Sequence, residues 1–225
     1  METSLHRRLK EIHGIESGGQ CEVAVAGFRI DAVAGDGSLV EIQSGALGPL
    51  KPKLRSLLPQ HRIRVVKPIV TRRVVIRRAT PDGPDLSKRH SPWRGQLVKA
   101  FDDLVGLAVL IPEPNLTVEL IGVAVEEVRV PRRRRPGYAV VDRRLVSVLS
   151  TLSIVTADDL WELLPLGISH SEPFTTAELA RKLGNSVPFA QRVAYCLRLS
   201  GAVKTVGKRG NAWVYQADRR ESVRA

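Results

Sequence analysis

The residues best suited to chemistry are two carboxylates and an amide, Asp31, Glu41 and Gln43, which lie close together in the sequence. Asp31 belongs to FRIDAV and the other two to SLVEIQSG, and a glycine-rich turn signal separates these two predicted strands. Strand alternation places Glu41 and Gln43 on one face. Two carboxylates on neighbouring strands can bind a hard cation through oxygen. Mg²⁺, or Mn²⁺ in its place, would present a water to a phosphodiester and neutralise charge on the pentacoordinate state.

The elements around these residues must bring them together. A first helix is predicted over residues 4–13, because Leu5, Leu9 and Ile12 have helical spacing and Gly14 can end the helix. Three strands, a second helix and a fourth strand follow before residue 70. This order predicts a mixed α/β sheet.

Residues 1–70 resemble the PD-(D/E)XK nuclease superfamily in this element order and in the motifs IDAV and EIQ, with ten residues from Asp31 to Glu41. The resemblance implies a restriction-endonuclease-like fold in which Asp31 and Glu41 ligate the metal. Gln43, which would orient the water or the phosphate, stands where the superfamily usually has Lys. Glu2 matches an acidic residue often found on the first helix and would be a further ligand.

Two alternatives stay open for this group of residues. Exposed carboxylates on alternating strands also serve solubility, so the triplet by itself indicates little. The absence of Lys at Gln43 removes a positive charge from the attacking water or the phosphate. That departure favours a non-catalytic DNA-binding or regulatory protein on the same scaffold, although some restriction endonucleases of the superfamily carry Gln there.

The composition indicates an anionic partner. The formal net charge is +12 and the pI is about 10.4, and a chain this basic usually meets a polyanion unless its basic surface is merely solvated. The two cysteines lack zinc-ligand spacing and predict no disulfide framework. The first residues lack an apolar signal core, and no apolar run is long enough for a membrane span. We therefore expect a cytoplasmic protein that binds DNA and no membrane.

The C-terminal segment, about residues 173–217, resembles a winged helix-turn-helix domain. FTTAELARKLG and PFAQRVAYCLRLSG are predicted as its two helices, with Val193, Tyr195 and Leu197 toward the core, and VKTVGKRGNAWVYQ is predicted as the wing. Winged helices also bind proteins, so a partner-docking role is a third interpretation. The candidate nucleic-acid contacts, including a basic loop between two prolines, are Arg132, Arg133, Arg134, Arg135, Gln191, Arg192, Arg198, Lys204, Lys208 and Arg209.

Together these patterns predict a nuclease-like domain over residues 1–135, a helical connector over 136–172, a winged helix over 173–217 and a disordered tail over 218–225. The expected function is DNA binding with Mg²⁺-dependent endonuclease activity. The sequence leaves a homodimer open, because cleavage of both strands would call for two active sites.

Overall fold

The computed structural model describes residues 2–166, 168 and 172–218. Its helices and strands are, in chain order, α1 (Ser4–His13), β1 (Gln20–Val25), β2 (Phe28–Val33), β3 (Leu39–Ile42), α2 (Lys51–Leu57), β4 (Ile63–Arg78), β5 (Asp85–His90), α3 (Phe101–Leu104), β6 (Leu116–Pro131), β7 (Tyr138–Ile154), β8 (Phe174–Thr175), α4 (Thr176–Leu183), α5 (Val187–Ser200), β9 (Val203–Arg209) and β10 (Ala212–Ala217). They form two compact units. The sheet unit comprises Met1–Ser44, Ser56–Leu97 and Thr117–Ser153, and the C-terminal unit comprises Gly45–Arg55, Val98–Leu116 and Ile154–Ala225.

A seven-stranded mixed sheet dominates the sheet unit. Six of its strands follow the order β1-β2-β3-β4-β6-β7, and β5 pairs with β4 beside that path. The strands β1, β2 and β3 are antiparallel neighbours, whereas β3 and β4 run parallel. A parallel pair needs a crossover connection, and the segment between β3 and β4 contains α2. The predicted α/β class with a large mixed sheet is confirmed.

The helix α1 packs on this sheet through the apolar residues that predicted it. The side chain of Thr3 caps the helix by accepting a hydrogen bond from the backbone N–H of His6 at 3.3 Å, and Gly14 ends it. Leu5 and Leu9 are buried. Their core partners, which come from β2, β3, β4 and β6, include Ala32, Val40, Ile42, Val66, Ile121, Val123 and Val125.

Asp142 on β7 anchors the start of α1. Its carboxylate accepts hydrogen bonds from the backbone N–H of Ser4 at 2.9 Å and from the Ser4 hydroxyl at 2.8 Å. Hydrogen bonds to an ionised acceptor are stronger than neutral ones. The first turn of α1, which carries His6 and adjoins Glu2, is therefore held in place relative to the sheet.

The predicted helical connector over 136–172 is wrong for most of its length. Residues 138–154 form the long strand β7 next to β6, and the helical structure among the described residues of this stretch is a 3₁₀ segment over Asp158–Leu163. The stretch is rich in valine, which favours strands because its branched side chain is stiff. The loop Arg132–Arg135 is consequently the turn between β6 and β7 and not a link between domains, and the predicted boundary at 135 cuts through this pair of strands.

Short-range signals set the boundaries of the helices in the C-terminal unit. Thr175 caps α4 in a reciprocal capping box with Glu178. Gly184 ends α4 with φ of 58°, in the left-handed region that glycine adopts without strain. Ser186 caps α5 and Gly201 ends it. The two helices predicted in FTTAELARKLG and PFAQRVAYCLRLSG are confirmed.

A three-stranded sheet in the order β8-β10-β9 completes the C-terminal unit. The helix α3 packs against α5, where the thiol of Cys196 lies 3.9 Å from the Phe101 carbonyl oxygen. The predicted tail over 218–225 lies outside the described residues apart from Asp218. In the part of the chain that the structure describes, no helix is long and apolar enough to cross a membrane.

Candidate functional site

A polar pocket of about 500 Å³ lies beside α1 and the strands β1 and β2. We call it the Asp31 pocket. Its lining residues are Glu2, Thr3, His6, Lys10, Glu22, Arg29, Asp31 and Ser44. Both acidic and basic side chains line it, so its chemistry depends on which of these charges neutralise one another.

Asp31 is held by two contacts at the edge of β3. One carboxylate oxygen accepts a hydrogen bond from the backbone N–H of Ile42 at 2.8 Å, and the other lies 3.3 Å from Nε2 of His6. Burial raises the pKa of Asp31, but the hydrogen bonds with His6 and Ile42 outweigh it and hold the pKa below its usual value. Asp31 is therefore ionised at neutral pH and lies against the strand that carries Glu41.

Lys10 is the central cation of the Asp31 pocket. It is only 6% exposed, and its ammonium group donates to Glu2 at 2.5 Å and to Glu22 at 2.6 Å. Burial lowers the pKa of Lys10, but the hydrogen bonds to Glu2 and Glu22 raise it above the usual value. Glu22 reaches this position with φ of 58°, an uncommon backbone conformation for a residue other than glycine, and it also contacts Arg29.

The predicted metal set of Glu2, Asp31 and Glu41 is not assembled as a three-ligand cluster. Glu2 lies in the Asp31 pocket, but it is paired with Lys10 and is 3.7 Å from His6. Neither Glu41, which is 6% exposed, nor the predicted catalytic Gln43 is among the residues that line the pocket. Across residues 2–166, 168 and 172–218, no group of three or more His, Cys, Asp or Glu side chains is placed to hold a metal.

Asp31 and Glu41 nevertheless occupy neighbouring positions in the sheet. The antiparallel register pairs Ala32 with Val40 and Val33 with Leu39, so the next residue along each strand is Asp31 on β2 and Glu41 on β3. Mg²⁺ commonly uses one or two carboxylates and completes its shell with waters and substrate phosphates. Carboxylate oxygens such as those of Asp31 and Glu41 are the donor type that this ion takes, and Glu2 is paired with Lys10.

Lys67 is a residue near this site that sequence reasoning missed. The parallel register pairs Ile42 with Val66, and the backbone N–H of Gln43 donates to the Val66 carbonyl at 2.9 Å. Lys67 follows Val66, is 2% exposed, and donates to the Ser44 carbonyl at 3.0 Å. The signal was present in the sequence, because a lysine inside the apolar run RVVKPIV breaks the pattern of a buried strand.

Comparisons with known proteins place the chain in a family. A family model described as "Domain of unknown function (DUF8091)" matches residues 3–155. The chain belongs to the DUF8091 family. It is also 32% identical over 221 residues to a protein of Treponema pallidum (strain Nichols) described as "Uncharacterized protein", a match that covers 96% of this chain and 86% of that protein. No solved structure matches significantly.

The DUF8091 region runs from the cap of α1 to the end of β7, so it includes Asp31, Glu41, Gln43 and Lys67. It also includes the exposed predicted contacts Arg132–Arg135 at the turn between β6 and β7. Next to this turn is a pocket of about 430 Å³ lined by Arg77, Arg78, Leu86, Arg129, Val130, Pro131, Pro136, Gly137 and Tyr138. The predicted basic loop is therefore part of a larger arginine-rich surface.

Outside the DUF8091 region, α5 exposes a stripe of polar and aromatic residues. Gln191, Tyr195 and Arg198 are exposed and follow one another at intervals of one helical turn. Tyr195 was predicted to face the core, but it is 41% exposed. The guanidinium of Arg192, a predicted DNA contact, is paired with Asp102 at 2.6 Å.

The hairpin of β9 and β10 carries the other predicted contacts. Lys204 is paired with Asp218 at 3.1 Å, and the guanidinium of Arg209 is paired with Glu178 at 2.6 Å. Lys208 instead places its ammonium group 4.5 Å from the centre of the Trp213 ring. The stripe on α5 and this hairpin form the candidate nucleic-acid surface of the C-terminal unit.

Proposed function

We propose that this protein binds DNA through its C-terminal unit and that this unit is a winged helix-turn-helix. Its elements follow the order β8-α4-α5-β9-β10, with a short turn between the two helices and a terminal hairpin. In winged helix-turn-helix proteins the second helix enters the major groove and the hairpin contacts the backbone. On this interpretation α5 is the recognition helix and the hairpin of β9 and β10 is the wing.

The exposed stripe on α5 is the observation that carries the proposal. Gln191 can hydrogen-bond to base edges, and Arg198 can pair with guanine or phosphate. The guanidinium of Arg198 makes no hydrogen bond or ion pair with any described residue, unlike that of Arg192. The formal charge of +12 supplies the attraction to a polyanion.

We expect the affinity for a DNA duplex to fall as salt rises, and Arg198→Ala and Lys208→Ala each to reduce the slope of log K against log[salt] by about one unit. Fluorescence anisotropy with a labelled duplex at several salt concentrations measures this slope. Arg8→Ala is the matched control, because it removes the same charge from an exposed position on α1. The proposal fails if duplex binding is absent at low salt, or if all three variants change the slope equally.

A second candidate function, hydrolysis of phosphodiester bonds, rests on the contact of Asp31 with the Ile42 backbone beside Glu41. The order α1-β1-β2-β3-α2-β4 is the order that the PD-(D/E)XK resemblance implies. Asp31, Glu41 and the Ile42 carbonyl would hold Mg²⁺ or Mn²⁺, which supplies an activated water and neutralises phosphate charge. Lys67, next to Gln43 across the sheet, would bring the positive charge that Gln43 lacks.

The Asp31 pocket also supports the alternative of a DNA-binding protein without hydrolysis. In this pocket Glu2, which would be a further metal ligand, is paired with Lys10. Gln43 also stands where the PD-(D/E)XK superfamily usually has Lys, which favours binding without cleavage. The DNA-binding proposal does not depend on which of these two applies.

A further inference from the structure

We propose that the cleft between the end of α5 and the hairpin of β9 and β10 binds an unpaired nucleobase, with Trp213 as the surface on which the base stacks. The inference rests on the proposed DNA binding and names the substrate more closely. It predicts that the protein prefers DNA with a single-stranded end over a blunt duplex.

The cleft has the composition of a base-stacking site. It has a volume of about 380 Å³ and is lined by Arg198, Thr205, Trp213 and Tyr215. Trp213 is 52% exposed, although its neighbour on β10, Val214, is 8% exposed and faces the core. Aromatic side chains on a basic surface bind single strands by stacking on bases, which is tolerant of sequence.

One cation lies over the Trp213 ring and another lines the same cleft. The ammonium group of Lys208 lies 4.5 Å from the ring centre, and Arg198 lines the same cleft. Most other basic side chains on this surface have acidic partners, as with Lys204 and Asp218 or Arg209 and Glu178. A base would therefore stack on the face of the indole opposite Lys208, and Arg198 in the same cleft would be available to an adjoining phosphate.

A blunt duplex does not use this cleft fully, because the faces of its bases are covered by neighbouring base pairs. A base in a single-stranded overhang has an open face that can lie on the indole. Loss of such a stacking contact typically weakens binding by roughly tenfold to a hundredfold. The effect of removing the indole should therefore depend on whether the DNA has an unpaired end.

The test compares Trp213→Ala with wild type on a blunt duplex, the same duplex with a single-stranded overhang on either strand, and the single strand alone. We expect wild type to bind an overhang more tightly than the blunt end, and Trp213→Ala to lose that advantage by roughly tenfold or more, with a clearly smaller loss of affinity for the blunt duplex, which the wing also contacts. Trp213→Phe should retain most of the preference for an overhang, because phenylalanine also offers a ring for stacking. Trp93→Ala is the matched control, because Trp93 is also half-exposed, at 43%, and lies under Arg73 in the sheet unit.

The intrinsic fluorescence of a Trp93→Phe protein gives a second readout. The remaining indoles are those of Trp161, which is buried at 5% exposure, and Trp213, so an overhang should quench the signal and a blunt duplex should not. Equal affinity of wild type for blunt and overhanging DNA overturns the inference, and so does an equal loss in Trp213→Ala on both. Either result leaves the proposed function standing, since that is tested separately, by duplex binding at low salt and by the salt slopes of the Arg198→Ala, Lys208→Ala and Arg8→Ala variants.

Discussion

Asp31→Asn is expected to abolish the Mg²⁺-dependent DNA cleavage that we propose as the second candidate function, while leaving the affinity for DNA unchanged. The substitution keeps the size of the side chain and removes the charge that lies beside Ile42 and Glu41. Neutralisation of phosphate charge by a metal contributes several kcal/mol to such reactions. Its loss corresponds to a fall in the cleavage rate of about a thousandfold or more.

Glu41→Gln should have the same effect, because both carboxylates belong to the same proposed ion site. Cleavage of a supercoiled plasmid with Mg²⁺ or Mn²⁺ measures the rate, and anisotropy in Ca²⁺ measures binding separately. Asp82→Asn is the control, because Asp82 is an exposed carboxylate in the loop between β4 and β5. If wild type cleaves and both active-site variants cleave equally well, hydrolysis does not occur at this site. If wild type does not cleave under any of these conditions, the DNA-binding alternative holds.

The helix boundaries could be predicted from the sequence because their causes are local. Thr175 and Glu178 form a capping box three residues apart, and Gly14, Gly184 and Gly201 each end a helix. These signals act within one turn of the chain and do not depend on the rest of the fold.

The strand β7 could not be predicted in the same way. Leu145, Val148 and Leu149 have spacing that also suits one face of a helix. Val148 and Leu149 are each 44% exposed, so these apolar residues do not mark the buried face of a strand. The strand forms because β6 offers a partner along its length, which is a long-range condition. Periodicity alone therefore favoured the wrong element.

The geometry of the candidate site could be predicted only where it is determined by residues that are close together in the sequence. The proximity of Asp31 to β3 follows from a short connection between two strands. The pairing of Lys10 with Glu22 depends on how α1 packs on the sheet, and the position of Lys67 beside Gln43 depends on a parallel crossover. These contacts change the expected chemistry, because Lys10 also pairs with Glu2, a predicted metal ligand, and because Lys67 brings another cation near Gln43.

The second large effect that we expect concerns Glu127, a carboxylate on β6 that is 2% exposed. Arg129 donates to it at 2.6 and 2.8 Å and Arg143 at 3.1 Å, and Arg73 lies 3.9 Å away. Burial raises the pKa of Glu127, but the hydrogen bonds from Arg129 and Arg143 outweigh it, and the pKa falls below its usual value. The folded protein thus holds the charged form more strongly than the unfolded chain does.

Glu127→Gln should lower the free energy of unfolding of the sheet unit by about 3 kcal/mol at pH 7, because it leaves the arginines without their buried partner. Urea unfolding, followed by the fluorescence of Trp93 beside Arg73, measures the change. Glu126→Gln is the control. Its carboxylate is paired with Lys88 and 22% exposed, and its loss should cost less than about 1 kcal/mol.

The pH dependence of this difference separates an electrostatic role for Glu127 from a packing role. A carboxyl whose pKa is lowered in the folded state stabilises the fold above the unfolded pKa, and that stabilisation is lost as pH falls through the folded pKa. The gap between wild type and Glu127→Gln should therefore be full at pH 7 and should shrink as the pH is lowered below about 4.5, near the usual glutamate pKa. A gap of the same size at pH 3 and pH 7 would mean that the shape of the side chain, and not its charge, holds β6 between its arginine-bearing neighbours.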